Sequence, residues 1–484
     1  MNIRYIINRL GILLWILAVG MLPSLVMSIV YNESDVDAFV KSIAVIVTLA
    51  LGTLAFKPRT AQFYARDGHA LAGFGWIVVT LCGAMPYFFS DSFATFADAI
   101  FESASGFTTT GASVLLDIDN MPRGIIFWRS FTHWMGGLGF LILMLAILPS
   151  TRANGLFILK AESSGPSMDK FVPKIRQLAS ILYIIYIIIT LLLISMLLLG
   201  GMSAFDAVVH AFGAVSTGGF SSYSLNIGAF NRPYFDWVFI IFMLASGVNY
   251  GLYYALFQKN FKSVFKDQEL RLYGGIALTA ASVIALDTFL RGVYPSIGET
   301  IRKALFAVSS ILTTTGYSNA DFNLWPTLSK SVLLLLMLFG ACAVSTSGGF
   351  KLIRVLILYK AGRREIDRLI HPRSVRAVTI NGRIVDDDVL SGTLVYFALY
   401  ISLLILLTLV VSLDGESLVT TFSAALASLS NIGIGLDAVG VSGTFANLSS
   451  LSKISLSLGM IVGRLEIYPV LIFCARATWK RAAL

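Results

Sequence analysis

Four times in this chain a short apolar segment that opens on an acidic residue runs into a small loop of hydroxyl residues and glycine. The loops are Thr108-Thr109-Thr110-Gly111, Val215-Ser216-Thr217-Gly218, Thr313-Thr314-Thr315-Gly316 and Ser430-Asn431-Ile432-Gly433. They recur at intervals of roughly 100 residues, each between two long apolar spans, so the chain reads as one unit used four times. A unit that brings backbone to the same depth four times describes the wall of a pore.

The spans set the medium. With 56% apolar and only 13% charged residues, the 484-residue chain carries more apolar surface than one soluble core can bury. Ten stretches reach the ~20 residues needed to cross a hydrocarbon core as helix. They fall near 10–31, 40–57, 70–90, 124–149, 178–200, 234–257, 272–291, 328–359, 390–413 and 450–475. Arg4 and Arg9 ahead of the first span resemble a signal peptide's basic start, but the apolar run is long and no small-residue cleavage pattern closes it. Cys82, Cys342 and Cys474 all lie in apolar spans, which indicates neither a disulfide framework nor a zinc site.

The net charge of +9 is distributed by side rather than gathered in a nucleic-acid-binding patch. Segments on the N-terminal side of the membrane hold 24 Lys and Arg, against nine on the other side. By the positive-inside rule both termini are cytoplasmic, and all four loops enter from outside. The linkers between repeats, such as Lys160–Arg176 and Lys360–Asp388, are too short for a folded soluble domain.

The segments before the loops, about 94–107, 203–214, 298–312 and 416–429, are too short to cross a membrane and read as half-helices. Asp98, Asp206, Glu299 and Glu416 fall in or near their first turns, where a carboxylate complements free N–H groups and the helix dipole. The carbonyl ends then aim at the membrane centre, where a cation is stabilised. Gly111, Gly218, Gly316 and Gly433 are predicted to turn neutral carbonyl ligands toward one axis, with Thr and Ser hydroxyls adding oxygens. One such string is an ordinary turn; four between matching spans are not.

The pattern of span, pore helix, glycine loop and span, with the strings Ser105-Gly106-Phe107-Thr108-Thr109-Thr110-Gly111, Ser216-Thr217-Gly218-Gly219-Phe220 and Gly463-Arg464, resembles the Trk/Ktr/HKT superfamily of potassium transporters over almost the whole chain. The resemblance implies an all-α polytopic membrane protein with four M1-pore helix-M2 repeats around a central pore and two additional N-terminal transmembrane helices. The expected division is an accessory unit at 1–68 and repeats at 69–150, 178–260, 271–362 and 388–478. The implied activity is uptake of potassium ions (K+) across a bacterial inner membrane through a channel-like pore; proton- or sodium-coupled symport is the alternative. The implied partners are membrane lipid, a second copy forming a homodimer, and a cytosolic TrkA-like ring with nucleotide-binding domains. The chain itself contains neither a G-x-x-x-x-G-K-[ST] nor a G-x-G-x-x-G loop, so no nucleotide is expected on it by those motifs. The fourth loop departs from the Thr-rich form. One aligned glycine per loop, rather than a Gly-Tyr-Gly run, predicts few ion sites in series and moderate selectivity over sodium.

The eighth span contains Gly340–Lys351, flexible and hydroxyl-rich, so the helix is expected to break there. Repeat alignment puts Ser345, Thr346, Ser347, Gly348, Gly349 and Lys351 just below the glycine ring, where the family resemblance also implies a gating loop; a simple Ser/Gly packing kink is the other reading. Arg464 matches the family's pore-facing arginine, with a local contact to Glu466 or to a backbone carbonyl that only packs the bundle as the alternative. Asp117, Asp119, Asp321 and Asp437 follow three of the loops and are expected to face an outer vestibule, either concentrating cations or simply solvated. Glu102, His133 and His210 read as packing residues. An intramembrane hydrolase lacks support, since the serines near His210 form no G-x-S-x-G elbow and no H-E-x-x-H string occurs.

Overall fold

A computed structural model describes residues 3–56, 65–139, 175–372 and 377–474. The fold is helical throughout these residues apart from one short hairpin, Thr379–Ile380 paired antiparallel with Arg383–Ile384. Six helices are long and apolar enough to cross a membrane: Ile3–Val30, Val36–Thr53, Asp67–Phe89, Ala179–Leu199, Gln268–Leu290 and Asp387–Asp414. The last four are the incoming helices of the repeats. Asp67–Phe89 is 67% buried, against 39% or less for the other five. The reason is local: Ile3–Val30 packs on Val36–Thr53, on Ala65–Gly83 and on Arg123–Gly137, so the N-terminal pair shields the first repeat.

Each half-helix forms because its first turn is capped. Phe96–Phe107 starts on Thr95, whose hydroxyl accepts from Asp98 N while Asp98 Oδ2 accepts from Thr95 N, a reciprocal capping box. Ala204–Val215 and Ile297–Leu312 start on Ser203 and Ser296, which accept from Asp206 N and Glu299 N. The fourth, Leu418–Leu429, starts on Ser417 with Thr420 at the position of the acid. Glu416 therefore lies ahead of the cap, and Asp437 supplies the carboxylate instead, accepting from Ser417 Oγ at 2.5 Å and Thr420 Oγ1 at 3.0 Å.

The outgoing spans differ from the sequence expectation. A break was expected only in the eighth, yet the sixth and tenth break as well. Pro233–Ser246 and Tyr250–Phe257 meet at 91°, Thr327–Leu336 is separated from Leu352–Ile370 by the long loop, and Ser450–Arg464 is separated from Tyr468–Cys474. Arg123–Gly137 ends beside the end of the first half-helix, and the rest of the predicted 124–149 span lies outside the described residues. The helices come very close there. A Cβ on Gly136 would lie 1.9 Å from Phe107 O, and one on Gly463 2.0 Å from Leu429 O, so glycines let the half-helix ends press against the outgoing helices. Helix restarts have their own caps, as where the Asn249 side chain accepts from Gly251 N.

The repeats close in a circle. The second half-helix packs on the first outgoing helix, the third on the second, and the first on the fourth. Ion pairs fasten the outer ends: Lys453 to Asp98 at 2.6 Å, and Arg302 to Asp236 at 3.0 Å.

Candidate functional site

The four loops share one backbone path. Their second residues, Thr109, Thr217, Thr314 and Asn431, have φ between 54° and 57°, and the glycines two positions on, Gly111, Gly219, Gly316 and Gly433, have φ between 73° and 86°. The second loop's register is thus Ser216–Gly219, one residue later than the string Val215–Gly218 suggests. Val215 is the last residue of its half-helix, and Gly218 occupies the place of Thr110, Thr315 and Ile432. Two adjacent glycines hid this in the sequence, because only the backbone angle separates them.

The glycines touch in sequence order. A Cβ on Gly111 would sit 2.0 Å from Gly218 O, on Gly219 2.0 Å from Thr315 O, on Gly316 2.1 Å from Ile432 O, and on Gly433 2.2 Å from Thr110 O. Each glycine abuts the carbonyl preceding the glycine of the next loop, and the fourth returns to the first. The ring is closed, and no side chain larger than hydrogen fits at any of its four corners.

Most of the loop hydroxyls are engaged in hydrogen bonds. Thr108 and Thr110 share a 2.7 Å hydrogen bond, repeated at 2.7 Å by Thr313 and Thr315. Thr108, Ser216 and Thr313 each donate at 2.6 Å to the carbonyl four residues back, satisfying half-helix ends. Ser430 Oγ pairs with Tyr400 OH at 2.7 Å, and Asn431 Nδ2 donates to Thr110 Oγ1 at 2.9 Å and to Met460 O at 3.0 Å. These bonds hold the loops to the half-helices and to one another, and the backbone carbonyls are the candidate ligands.

Residues read as packing add further links. Glu102 and Arg129 are both buried and joined at 2.7 Å. Glu102 also accepts from Ser113 Oγ and Val114 N, while the Arg129 guanidinium lies 4.1 Å from the Phe220 ring centroid. His133 Nδ1 lies 2.7 Å from Gly106 O and its ring stacks on Phe220; His210 Nε2 meets Ser221 Oγ at 2.9 Å. Tyr317, just after the third loop, donates to His210 O and Phe220 O. Loops one, two and three are therefore linked through their backs. Tyr317 and Tyr400 carry no sequence motif, and only their positions beside the loops mark them.

Under the ring lies the segment Gly340–Lys351. Its feet are closed by Gly340 N to Phe350 O (2.9 Å) and Leu352 N to Ala341 O (3.2 Å). Its tip reaches two of the four loops and the end of the second half-helix: Thr346 Oγ1 donates to Val215 O, Gly348 N donates to Thr314 Oγ1 at 2.8 Å, and a Cβ on Gly348 would lie 2.5 Å from Ser430 O. Ser345 and Ser347 share a hydrogen bond, Gly349 takes a left-handed φ of 69°, and buried Lys351 turns its ammonium back onto Ser347 Oγ and Ser347 O. Arg464 donates to Thr346 O at 2.7 Å, to Gly136 O at 2.7 Å and to Gly137 O. Glu466 pairs with Arg354 rather than with Arg464.

After the first loop Asp117 and Asp119 are exposed; Asp117 accepts from Asn120 Nδ2, and Ser224 N approaches Asp119 Oδ1 at 3.4 Å. Asp321 accepts from Asn323 N and Ser442 Oγ. Asp437, besides capping the fourth half-helix, has its carboxyl held below the usual carboxylate range by the Ser417 and Thr420 hydroxyls, with Lys330 adding to the effect.

Parallel half-helices, a closed glycine ring and apolar incoming helices define a multi-pass membrane protein of the four-repeat pore class. The chain matches the TrkH family model, described as a cation transport protein, over residues 37–481 and belongs to that family. It is 34% identical to the Trk system potassium uptake protein TrkH of Salmonella typhimurium, covering 99% of this chain and 100% of that protein. It is 35% identical to the Trk system potassium uptake protein TrkG of Escherichia coli, with 99% of each chain covered. The crystal structure of the potassium transporter TrkH from Vibrio parahaemolyticus superposes with a TM-score of 0.90 at 31% identity, over 99% of this chain and 100% of that one.

Proposed function

We propose that this chain is a potassium-selective uptake pore of a bacterial inner membrane, with both termini cytoplasmic and the glycine ring as its filter. The observation that carries the reading is the closed ring, in which each glycine meets the carbonyl ahead of the next. Four carbonyl-bearing loops around one axis replace a cation's hydration shell with neutral oxygens, and the half-helix carbonyl ends above the pore centre add negative potential. The ligand set is Thr108–Gly111, Ser216–Gly219, Thr313–Gly316 and Ser430–Gly433, with K+ as cargo rather than cofactor. Residues 1–68 serve as the accessory unit, and 69–150, 178–260, 271–362 and 388–478 as the pore repeats.

The segment Ser345–Gly349, held by Arg464, acts as the gate; its contact with the third and fourth loops and with the carbonyl end of the second half-helix supports that role over a packing kink. Asp117, Asp119, Asp321 and Asp437 collect cations at the outer mouth. From family membership we further assign a homodimer and a cytosolic TrkA-like nucleotide-binding ring on the basic inner face.

Electrical recording of the purified full chain in a bilayer, with sodium and potassium exchanged, tests the reading. Currents that reverse near the potassium equilibrium potential are expected. Equal permeability of the two ions would overturn selectivity, and strict dependence on a proton or sodium gradient would turn the pore into a coupled symporter.

A further inference from the structure

The intramembrane loop has a holder that the sequence did not suggest. Glu269 is 4% exposed and stands in the first turn of the third repeat's incoming helix, Gln268–Leu290. Its Oε1 accepts from Ala343 N at 2.7 Å and from Ile353 N at 3.0 Å. Ala343 lies at the start of the loop and Ile353 in the first turn of the helix that follows it. One carboxylate oxygen thus ties both feet of the loop to a helix outside it.

The same helix end is gripped from the cytosolic side. In the hairpin turn between Thr379–Ile380 and Arg383–Ile384, Asn381 donates from Nδ2 to Asp267 Oδ2 at 2.7 Å and accepts at Oδ1 from Gln268 N at 2.9 Å. Lys360, on the helix that continues from the loop, donates to Gln268 Oε1 at 2.5 Å and to Thr379 O at 2.6 Å. Asp267, Gln268 and Glu269 are consecutive. The first two hold the cytosolic hairpin and the third holds the loop.

We infer that Glu269 is the positioning residue that keeps the intramembrane loop closed, and that the Asn381 hairpin is the cytosolic clasp through which that hold is strengthened or released. The inference rests on the loop being the gate. Removing a buried acceptor that serves two backbone amides leaves both donors unsatisfied, the costly side of a hydrogen bond, and both bonds share this oxygen. Losing them frees both feet together, while the glycine ring, which Glu269 does not touch, keeps its geometry.

The test measures rubidium flux through the purified full chain in liposomes, without any partner protein. Glu269→Ala is expected to raise basal flux about tenfold, the effect of losing roughly one hydrogen bond, with the rubidium-to-sodium permeability ratio unchanged. Glu269→Gln keeps an acceptor oxygen and is expected to stay near wild type. Asn381→Ala is expected to shift flux in the same direction by less. In a chain with Ser345–Gly349 shortened, Glu269→Ala is expected to add nothing.

If the shortened loop alone leaves flux unchanged, the gate reading fails. If shortening raises flux and Glu269→Ala does not, the gate stands and this inference falls. An Asn381→Ala flux equal to wild type, beside an active Glu269→Ala, overturns the clasp. Should Glu269→Ala not fold, Glu269→Asp, one methylene too short to reach both amides, is combined with thiol modification of buried Cys342 beside Ala343, with Cys82 and Cys474 changed to Ser. Faster Cys342 modification than in the Glu269 parent is expected, and an equal rate overturns the inference.

Discussion

Gly218 and Gly219 are neighbours with unlike constraints. Gly219 has φ +81° and faces Thr315 O, whereas a Cβ on Gly218 would meet the His133 ring at 2.5 Å. Gly219→Ala is expected to abolish potassium selectivity in ion-exchange recordings, because the new methyl strikes backbone of the next loop. Val215→Ala leaves the carbonyl that Thr346 uses in place and is expected to keep selectivity. Glu102→Ala strands Arg129 as a buried, uncompensated charge, which costs about 3–5 kcal/mol; thermal unfolding in detergent measures it. Asp437, with its carboxyl pKa lowered on folding, stabilises the fourth half-helix above the ordinary carboxylate range, and that contribution is lost as pH falls through the lowered value. The melting temperatures of wild type and Asp437→Asn are therefore expected to differ at neutral pH and to converge in acid.

At the scale of elements, the half-helix was readable and the outgoing helix was not. Four acid-bearing short apolar segments stand out against long spans, and Thr95-x-x-Asp98, Ser203-x-x-Asp206 and Ser296-x-x-Glu299 carry the capping pattern in plain sequence. The breaks at Ser246–Asn249 and Leu465–Ile467 lie inside apolar runs that hydropathy joins into one span, because a bend changes direction without changing composition. Gly247 and Gly463 are their signal, and it has meaning only beside the loop that each glycine admits. Arg464 grips the tip of the intramembrane loop at Thr346 O. Arg464→Ala is expected to raise basal ion flux in liposomes, and wild-type flux would count against that hold.

Across the whole molecule, the proposed function assigns the choice of ion and the closing of the pathway to different residues. The ring is a property of all four repeats, while the loop and Arg464 belong to the third and fourth alone. Substitutions at Gly111, Gly219, Gly316 or Gly433 are expected to change the potassium-to-sodium permeability ratio; shortening Ser345–Gly349 is expected to raise open probability and leave that ratio alone. Single-channel records on the two sets separate the effects, and a loop variant that alters the ratio would show the two functions to be fused.

The sequence alone carried the medium, the four-fold repetition and the half-helices, because hydropathy and capping are short-range properties written along the chain. It also marked the eighth span for a break, since Ser and Gly gathered there. Packing alone settled which glycine of Gly218-Gly219 closes the ring, that Glu466 pairs with Arg354, and that Glu269 accepts from a loop more than 70 residues further along the chain. Those outcomes depend on which carbonyl stands opposite which side chain across repeats roughly 100 residues apart, and a distance of that kind is set by packing.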